Sequence, residues 1–95
     1  MKQARHETVS LSMIVRNEAH QLGECLAPVA HLFNDIVVAD TGSSDGTRQV
    51  AERFGARVVD FTWCDDFSAA RNASLAQAQG DWIFWLDADD RVSPA

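Results

Sequence analysis

The sequence has 95 residues, 46% of them apolar, a length that allows one compact domain with a modest core. Fourteen acidic residues against eight basic ones give a net charge of -6, which argues against a nucleic acid as partner. No apolar run is long enough to span a membrane, and Cys25 and Cys64 show neither metal nor disulfide spacing. We therefore expect reduced thiols and a cytoplasmic location.

The first half of the chain alternates apolar runs with a helical pattern. Residues 9–15 predict a buried strand. The next apolar positions are spaced as on one helix face: Leu22, Cys25, Leu26, Val29 and Phe33. Asn17 can cap this helix, and Pro28 predicts a kink or a break within it. Residues 36–39 predict the second strand.

The second half repeats the alternation. A helix is expected to begin near Asp45 and to stop at Gly55, because a glycine there suits a left-handed C-terminal cap. A strand at 58–61 follows, then an alanine-rich helix over 68–79 capped by Asp66 or Ser68, and a strand at 82–86. All four apolar runs are nearly continuous, which predicts strands that are buried on both faces. The order β-α-β-α-β-α-β predicts an α/β fold, Rossmann-like and three-layered (α/β/α), with a mainly parallel sheet.

Polar residues follow three of the predicted strands. They are Arg16, Asn17 and Glu18 after the first strand, residues 40–46 after the second, and residues 87–90 after the fourth. In open parallel sheets, ligands bind at the carboxyl ends of the strands, near the point where the strand order reverses. Turn formation explains any one of these loops, but three of them at one edge predict a binding site.

Asp87 and Asp89 form an Asp-x-Asp motif directly after an apolar run. Carboxylates of this kind suit Mg²⁺ or Mn²⁺, which take their remaining ligands from substrate phosphates and water. Such a cation offsets the negative charge that develops on a diphosphate leaving group. The EF-hand pattern is excluded, because its sixth position needs glycine and holds Val92 here.

Other segments have more than one interpretation. Asp40-Thr41-Gly42-Ser43 matches the aspartic-protease motif, but those enzymes are all-β, and the segment 41–47 lacks P-loop spacing. Arg71 can bind a phosphate or a base edge, or it can pair with Asp65 or Asp66. Aromatic residues in or beside strands are expected in the core rather than at a sugar; here they are Trp63, Trp82 and Trp85.

Four ordered motifs resemble the family-2 glycosyltransferases of the GT-A fold: S-L-S-M-I-V-R-N-E, I-V-V-A-D-T-G-S-S-D-G-T, W-C-D-D-F-S-A-A-R-N and W-I-F-W-L-D-A-D-D. The resemblance covers nearly the whole chain, from about Leu11 to Asp90. With its D-T-G-S variant, the chain is most similar to bacterial cell-envelope sugar transferases. The resemblance implies a nucleotide-diphosphate sugar donor, with a UDP-sugar favoured, and transfer to an acceptor hydroxyl with inversion at the anomeric carbon.

The resemblance also implies which residues bind the nucleotide. Asp40 would contact the nucleoside, while Arg16 and Asn17 would line the same pocket and Arg71 would lie near the base or the diphosphate. Many relatives carry a second Asp where this chain has Thr41. Thr41 can replace that contact only as a hydroxyl.

For the metal, the resemblance implies that Asp87 contacts the ribose or the metal's shell and that Asp89 binds the ion directly. The family's catalytic base is expected beyond Ala95, so residues 1–95 would be a donor-binding part, truncated after the Asp-x-Asp motif. We expect this chain to bind donor without turnover. We also expect it to form a homodimer or larger assembly through apolar surface left uncovered.

Two alternatives compete with the transferase. A phosphatase of the haloacid-dehalogenase type would use Asp87 as nucleophile, but it usually has Thr or Val at the fifth motif position, where this chain has Arg91. A phosphoaspartate trapped on Asp87 would favour that alternative. The other is a non-catalytic nucleotide-binding or interaction module in which the motifs only build turns.

Overall fold

The computed structural model of the chain describes residues 7–64 and 66–88, and these residues confirm the predicted order of elements. The elements are β1 (Val9–Val15), α1 (Ala19–Leu26), a single 3-10 turn (Ala30–Leu32), β2 (Asp35–Asp40), α2 (Thr47–Arg53), β3 (Arg57–Asp60), α3 (Phe67–Gln77) and β4 (Trp82–Trp85). No helix within the described ranges is long and apolar enough to cross a membrane.

The four strands form one parallel sheet in the order β3-β2-β1-β4, which confirms the predicted α/β class. β1 is central: Val15 is in register with Asp40 of β2, and Ser12 is in register with Trp85 of β4. The chain adds β2 and β3 on one side of β1 and then crosses to place β4 on the other side. The strand order therefore reverses between β1 and β4, and this is the place where such sheets bind ligands.

One face of the sheet carries the main apolar core. Alternate residues of β1 point to this face, as the two-residue repeat of a strand requires. Here β1 meets α1 and α2, which also pack against each other. The fully buried members of this cluster include Leu11, Met13, Val15, Leu22 and Leu26.

The opposite face is covered by α3, which packs on β1 and β2. Its contacts are small and polar: the hydroxyls of Ser12 and Ser74 lie 2.6 Å apart, and the Ser74 hydroxyl donates to the carbonyl of Val37. Gly80, just after α3, approaches β1 so closely that a β-carbon at this position would lie 2.6 Å from the backbone nitrogen of Ser10. Only glycine fits there, because real β-carbon contacts are longer than this.

The ends of the helices agree only in part with the sequence predictions. α1 ends at Leu26, before Pro28, and a 3-10 turn follows, so the predicted break is confirmed. Gly55 has the predicted positive φ (84°), and Asp66 caps α3 by accepting a hydrogen bond from the N–H of Ala69. The prediction that Asn17 is the N-cap of α1 was wrong, because Glu18 occupies that position.

The prediction that every strand is buried on both faces was wrong for β3 and β4. These are the outer strands of the sheet as described, so each pairs with only one neighbouring strand. Most of their residues are exposed or only partly buried. Along β4 the exposed fractions are 60% for Trp82, 47% for Ile83 and 49% for Phe84. Trp82 and Trp63, which is 38% exposed, are therefore not the core residues that their positions in or beside strands predicted.

Candidate functional site

A cavity of about 440 Å³ opens at the carboxyl ends of β1 and β4, where the strand order reverses. We call it the strand-end cavity. The residues that line it are Ile14, Val15, Arg16, Glu18, Gln21, Thr41, Trp63, Asp87 and Ala88. The structure thus brings together Arg16 and Asp87, two of the residues that the sequence placed at the site.

A second depression, of about 230 Å³, lies beside the carboxyl ends of β2 and β3. We call it the Asp40 depression. Its lining is Asp40, Thr41, Gly42, Asp60, Phe61, Thr62 and Trp63. Thr41 and Trp63 belong to both linings, so the two spaces are neighbours at one edge of the sheet.

Asp40 is held in place by the turn that follows β2. One oxygen of its carboxylate accepts hydrogen bonds from the N–H groups of Gly42 and Ser43 and from the Ser43 hydroxyl, the last at 2.6 Å. Its other oxygen lies 3.9 Å from the guanidinium of Arg48, which also pairs with Asp60. Asp40 is only 4% exposed. The carboxylate is therefore fixed and charge-paired at the floor of the depression.

Asn17 ties the loop after β1 to the loop after β2. It adopts a left-handed backbone conformation (φ 51°), which asparagine tolerates better than most residues. Its N–H donates to the Ser43 hydroxyl at 2.9 Å, and its side-chain carbonyl accepts from the N–H of Ser44 at 2.7 Å. Asn17 is not among the residues that line either space. In this structure its side chain positions the two loops.

A second set of contacts joins the same two loops. The N–H of Glu18 donates to the hydroxyl of Thr47, and the N–H of Ala19 donates to the carboxylate of Asp45. The Thr47 hydroxyl in turn donates to Asp45, and this bond, together with the backbone bonds from Thr47 and Ala19, holds the pKa of Asp45 below its usual range. The segment read from sequence as a polar turn is thus a hydrogen-bonded clamp between the two loops.

The hydroxyl of Thr41 is bonded to the protein backbone rather than directed into either space. The residue is 6% exposed, and its hydroxyl donates to the carbonyl of Val15 at 3.1 Å. Its backbone N–H bonds to the same carbonyl. The hydroxyl expected to substitute for a second carboxylate is therefore committed to joining the ends of β1 and β2.

Asp87 follows β4 and is exposed at the mouth of the strand-end cavity. The thiol of buried Cys25 donates to the backbone carbonyl of Asp87 at 3.6 Å, so α1 contacts the turn that carries this carboxylate. Asp89, the second carboxylate of the motif, lies outside the described residues. Asp87 is the one predicted metal ligand whose position the structure gives.

Arg71 lies against β4 and outside the linings of both spaces. Its guanidinium carbon sits 4.5 Å from the centre of the Trp85 ring, which is a cation–π contact. Arg71 and Trp85 line a separate groove on the α3 side together with Leu75 and Ile83. The predicted contact between Arg71 and a donor therefore stays a prediction.

Trp63 is a site residue that the sequence analysis missed, as are Gln21 in the strand-end cavity and Asp60 in the Asp40 depression. Trp63 follows β3 in a segment without helix or strand, it is 38% exposed, and it lines both spaces. Its place shortly after a strand, next to polar residues, was an available signal. The general preference of tryptophan for cores outweighed that signal.

The geometry and the sequence place the chain in one family: the glycosyl transferase family 2 model matches residues 10–95, so the chain belongs to that family. A TPR repeat-containing protein of Synechococcus elongatus is 51% identical over 88% of this chain and 21% of its own length. The SPbeta prophage-derived glycosyltransferase SunS of Bacillus subtilis is 35% identical over 90% of this chain and 21% of its own length. The chain thus spans about a fifth of these relatives.

Solved structures confirm the GT-A relationship. Glucosyl-3-phosphoglycerate synthase of Mycobacterium tuberculosis superposes with a TM-score of 0.71 at 28% identity, covering 87% of this chain and 35% of that one. The same enzyme in complex with Mn²⁺ and UDP-glucose gives a TM-score of 0.70 at 28% identity, over 87% of this chain and 33% of that one. Family membership favours the transferase over the phosphatase alternative.

Proposed function

We propose that this chain is the donor-binding part of an inverting glycosyltransferase and that it binds a nucleotide-diphosphate sugar, most favourably a UDP-sugar. The observation that carries the proposal is the strand-end cavity, which lies where the strand order reverses and is lined by Arg16 and Asp87. The structural neighbour that binds Mn²⁺ and UDP-glucose supports the choice of donor.

Within this proposal the nucleotide lies across both spaces. Asp40 contacts the nucleoside from the floor of its depression, and Arg16 offers a guanidinium to the phosphates in the strand-end cavity. Asn17 contributes by holding the loops that carry these residues, since its side-chain carbonyl is bonded to Ser44. Arg71 reaches the donor only if its guanidinium leaves the Trp85 ring.

Asp87, with Asp89, is proposed to hold Mg²⁺ or Mn²⁺. An exposed carboxylate beside the strand-end cavity fits these ions, which commonly use one or two carboxylates and complete their shell with phosphate oxygens and water. Within residues 7–64 and 66–88, no group of three or more His, Cys, Asp or Glu can hold a metal ion. The bound ion would supply Lewis-acid stabilisation of the departing diphosphate.

The activity of the whole protein is a further part of the proposal. From the resemblance to cell-envelope sugar transferases, we infer that the whole protein transfers a sugar to an acceptor hydroxyl in polysaccharide or lipopolysaccharide synthesis. We expect this reaction to take place in the cytoplasm. Deprotonating an acceptor needs a base within hydrogen-bond reach. The chain spans 35% of its structural neighbour, so for these 95 residues the proposal is donor binding without transfer.

The test is a calorimetric titration of UDP into the chain, with and without Mn²⁺. We expect tighter binding with Mn²⁺, and Asp87→Asn should weaken that Mn²⁺-dependent binding by about tenfold or more, as loss of a metal-site group typically does. Glu52→Gln is the matched control, because it makes the same charge change at an exposed position of α2 that lines neither space.

Two results would count against the proposal. One is the absence of UDP binding by the wild-type chain in both conditions. The other is equal weakening by Asp87→Asn and Glu52→Gln, which would mean that only net charge matters. Sugar transfer by the isolated 95-residue chain would overturn the inference that it binds without turnover.

Self-association is proposed on the basis of β4. This outer strand exposes Trp82, Ile83 and Phe84, and an apolar strand edge is a surface on which another chain can pair. A homodimer in light scattering would support the proposal, and a monodisperse monomer would contradict it.

A further inference from the structure

Trp63 stands between the two halves of the proposed site. The strand-end cavity holds Arg16 and Asp87, and the Asp40 depression holds Asp40 itself. Trp63 and Thr41 are the two residues common to both linings. A ligand that reaches from one space into the other must therefore pass along these two residues.

Of these two residues, Trp63 has the larger solvent-exposed area. Thr41 is 6% exposed, and its hydroxyl is bonded to the backbone of Val15. Trp63 is 38% exposed, and its indole provides a flat apolar surface of the kind on which any base can stack.

The chemistry around Trp63 differs between the two spaces. On the Asp40 side the lining includes two carboxylates, Asp40 and Asp60, which both pair with Arg48 and whose remaining lone pairs can accept hydrogen bonds from the N–H groups of a base. On the other side, the Arg16 guanidinium can donate to phosphate oxygens, and Asp87 can share a cation with them. A nucleoside diphosphate has this sequence of groups, with the base at one end and the phosphates at the other.

We propose that Trp63 is the stacking surface for the base of the donor nucleotide, with the base in the Asp40 depression and the diphosphate in the strand-end cavity. The inference rests on the proposed function and adds a binding residue to it. Because stacking is tolerant of base identity, Trp63 contributes affinity for nucleotides, and the choice among bases falls to the carboxylates.

The test compares two probes, UDP and inorganic pyrophosphate, each titrated calorimetrically with Mn²⁺ present. Trp63→Ala should raise the Kd for UDP by between about fivefold and about a hundredfold, the range found when a stacked aromatic is removed. The same variant should change the Kd for pyrophosphate by less than about twofold, because pyrophosphate has no base to stack. Trp63→Phe, which keeps an aromatic face, should recover most of the UDP affinity.

Trp82→Ala is the matched control. Trp82 is more exposed than Trp63, at 60%, but it lies at the start of β4 and lines neither space. Its removal should leave both Kd values unchanged. Circular dichroism of each variant checks that it is folded, and Trp63→Leu, which keeps apolar bulk without an aromatic face, supplies the comparison if Trp63→Ala does not fold.

The outcomes separate the inference from the function on which it rests. If wild-type chain binds UDP but folded Trp63→Ala binds it equally well, the stacking role is overturned and the proposed function stands. If Trp63→Ala weakens UDP and pyrophosphate by the same factor, Trp63 shapes the cavity rather than stacking on a base, and the inference again fails. If the wild-type chain binds pyrophosphate but not UDP, the proposed donor fails as well.

Discussion

The two faces of the sheet are packed in different ways, although β1 contributes to both. On the α1 and α2 side, Leu11 and Met13 meet apolar helix residues in one cluster. On the α3 side, the intervening Ser10 and Ser12 meet Ser74 and Gly80 through hydrogen bonds and close backbone approach. One face is thus stabilised mainly by buried apolar area and the other by hydrogen-bonded polar groups. Substitutions on the two faces should therefore lower the free energy of unfolding for different reasons.

The largest effect is expected on the apolar face. Leu22→Ala should lower the free energy of unfolding by about 2–5 kcal/mol, because Leu22 is fully buried and its loss leaves a cavity. Urea unfolding measures this effect. Leu32→Ala makes the same chemical change at a position that is 61% exposed, and it should cost less than about 0.5 kcal/mol. Similar costs for the two variants would contradict the assignment of the core.

A smaller effect, with a different signature, is expected on the α3 face. Ser74→Ala should cost about 1–3 kcal/mol, because it leaves the buried hydroxyl of Ser12 without this partner. The double variant with Ser12→Ala should cost less than the sum of the two single variants, since the second change removes the stranded group. Strictly additive costs in urea unfolding would show that the two hydroxyls do not depend on each other. Ser68→Ala, exposed on the same helix, is the control.

The smallest effect concerns Asp35, which joins the start of β2 to the α3 side. Burial raises the pKa of its carboxyl, but hydrogen bonds from the Gln79 N–H, the Ser10 hydroxyl and Arg57, with the charge of Arg57, outweigh burial and leave the pKa below 3.8. A lowered folded-state pKa contributes stability that is present above pH 3.8 and is lost as the pH falls through the folded-state value. Because Arg57 is 42% exposed, we expect this contribution to be below about 1 kcal/mol.

Asp35→Asn measures this contribution. The difference in unfolding free energy between wild type and variant should shrink as urea titrations move from pH 7 to pH 3, because the Asp35 carboxylate takes up a proton at higher pH in the unfolded state than in the folded state. Other acidic groups titrate in both proteins and cancel in the difference. A difference that stays constant over this pH range would mean that the charge of Asp35 is not what matters.

Much of the fold was predictable because its signals are local. The break at Pro28, the left-handed Gly55 and the cap at Asp66 each depend on a few neighbouring residues. The exposure of β4 was not predictable in this way, because an apolar run does not tell whether a strand will lie at the centre or at the side of the sheet. That depends on the strand order, which is a property of the whole chain.

The candidate site shows the same difference between local signals and contacts that depend on distant parts of the chain. The parallel arrangement alone predicts that Asp40 and Asp87 approach one edge of the sheet, and the structure places them there. The roles of Asn17 and Trp63 depend on partners far along the chain. Asn17 bonds to residues 26 and 27 positions away, and Trp63 comes to line the same cavity as Asp87. Such contacts leave no periodic trace in the sequence.

The pairing of β1 with β4 has a consequence for how quickly the chain folds. Thr8 and Asp81, hydrogen-bonded beside this pairing, are 73 residues apart, and the strand pairs in the described sheet are all parallel and connected through helices. Contacts between such distant segments form slowly, because the entropy of closing the intervening loop is lost before the contact is gained. We therefore expect folding in milliseconds to seconds rather than microseconds. The cavity beside Asp87 depends on this long-range pairing, because Asp87 follows β4.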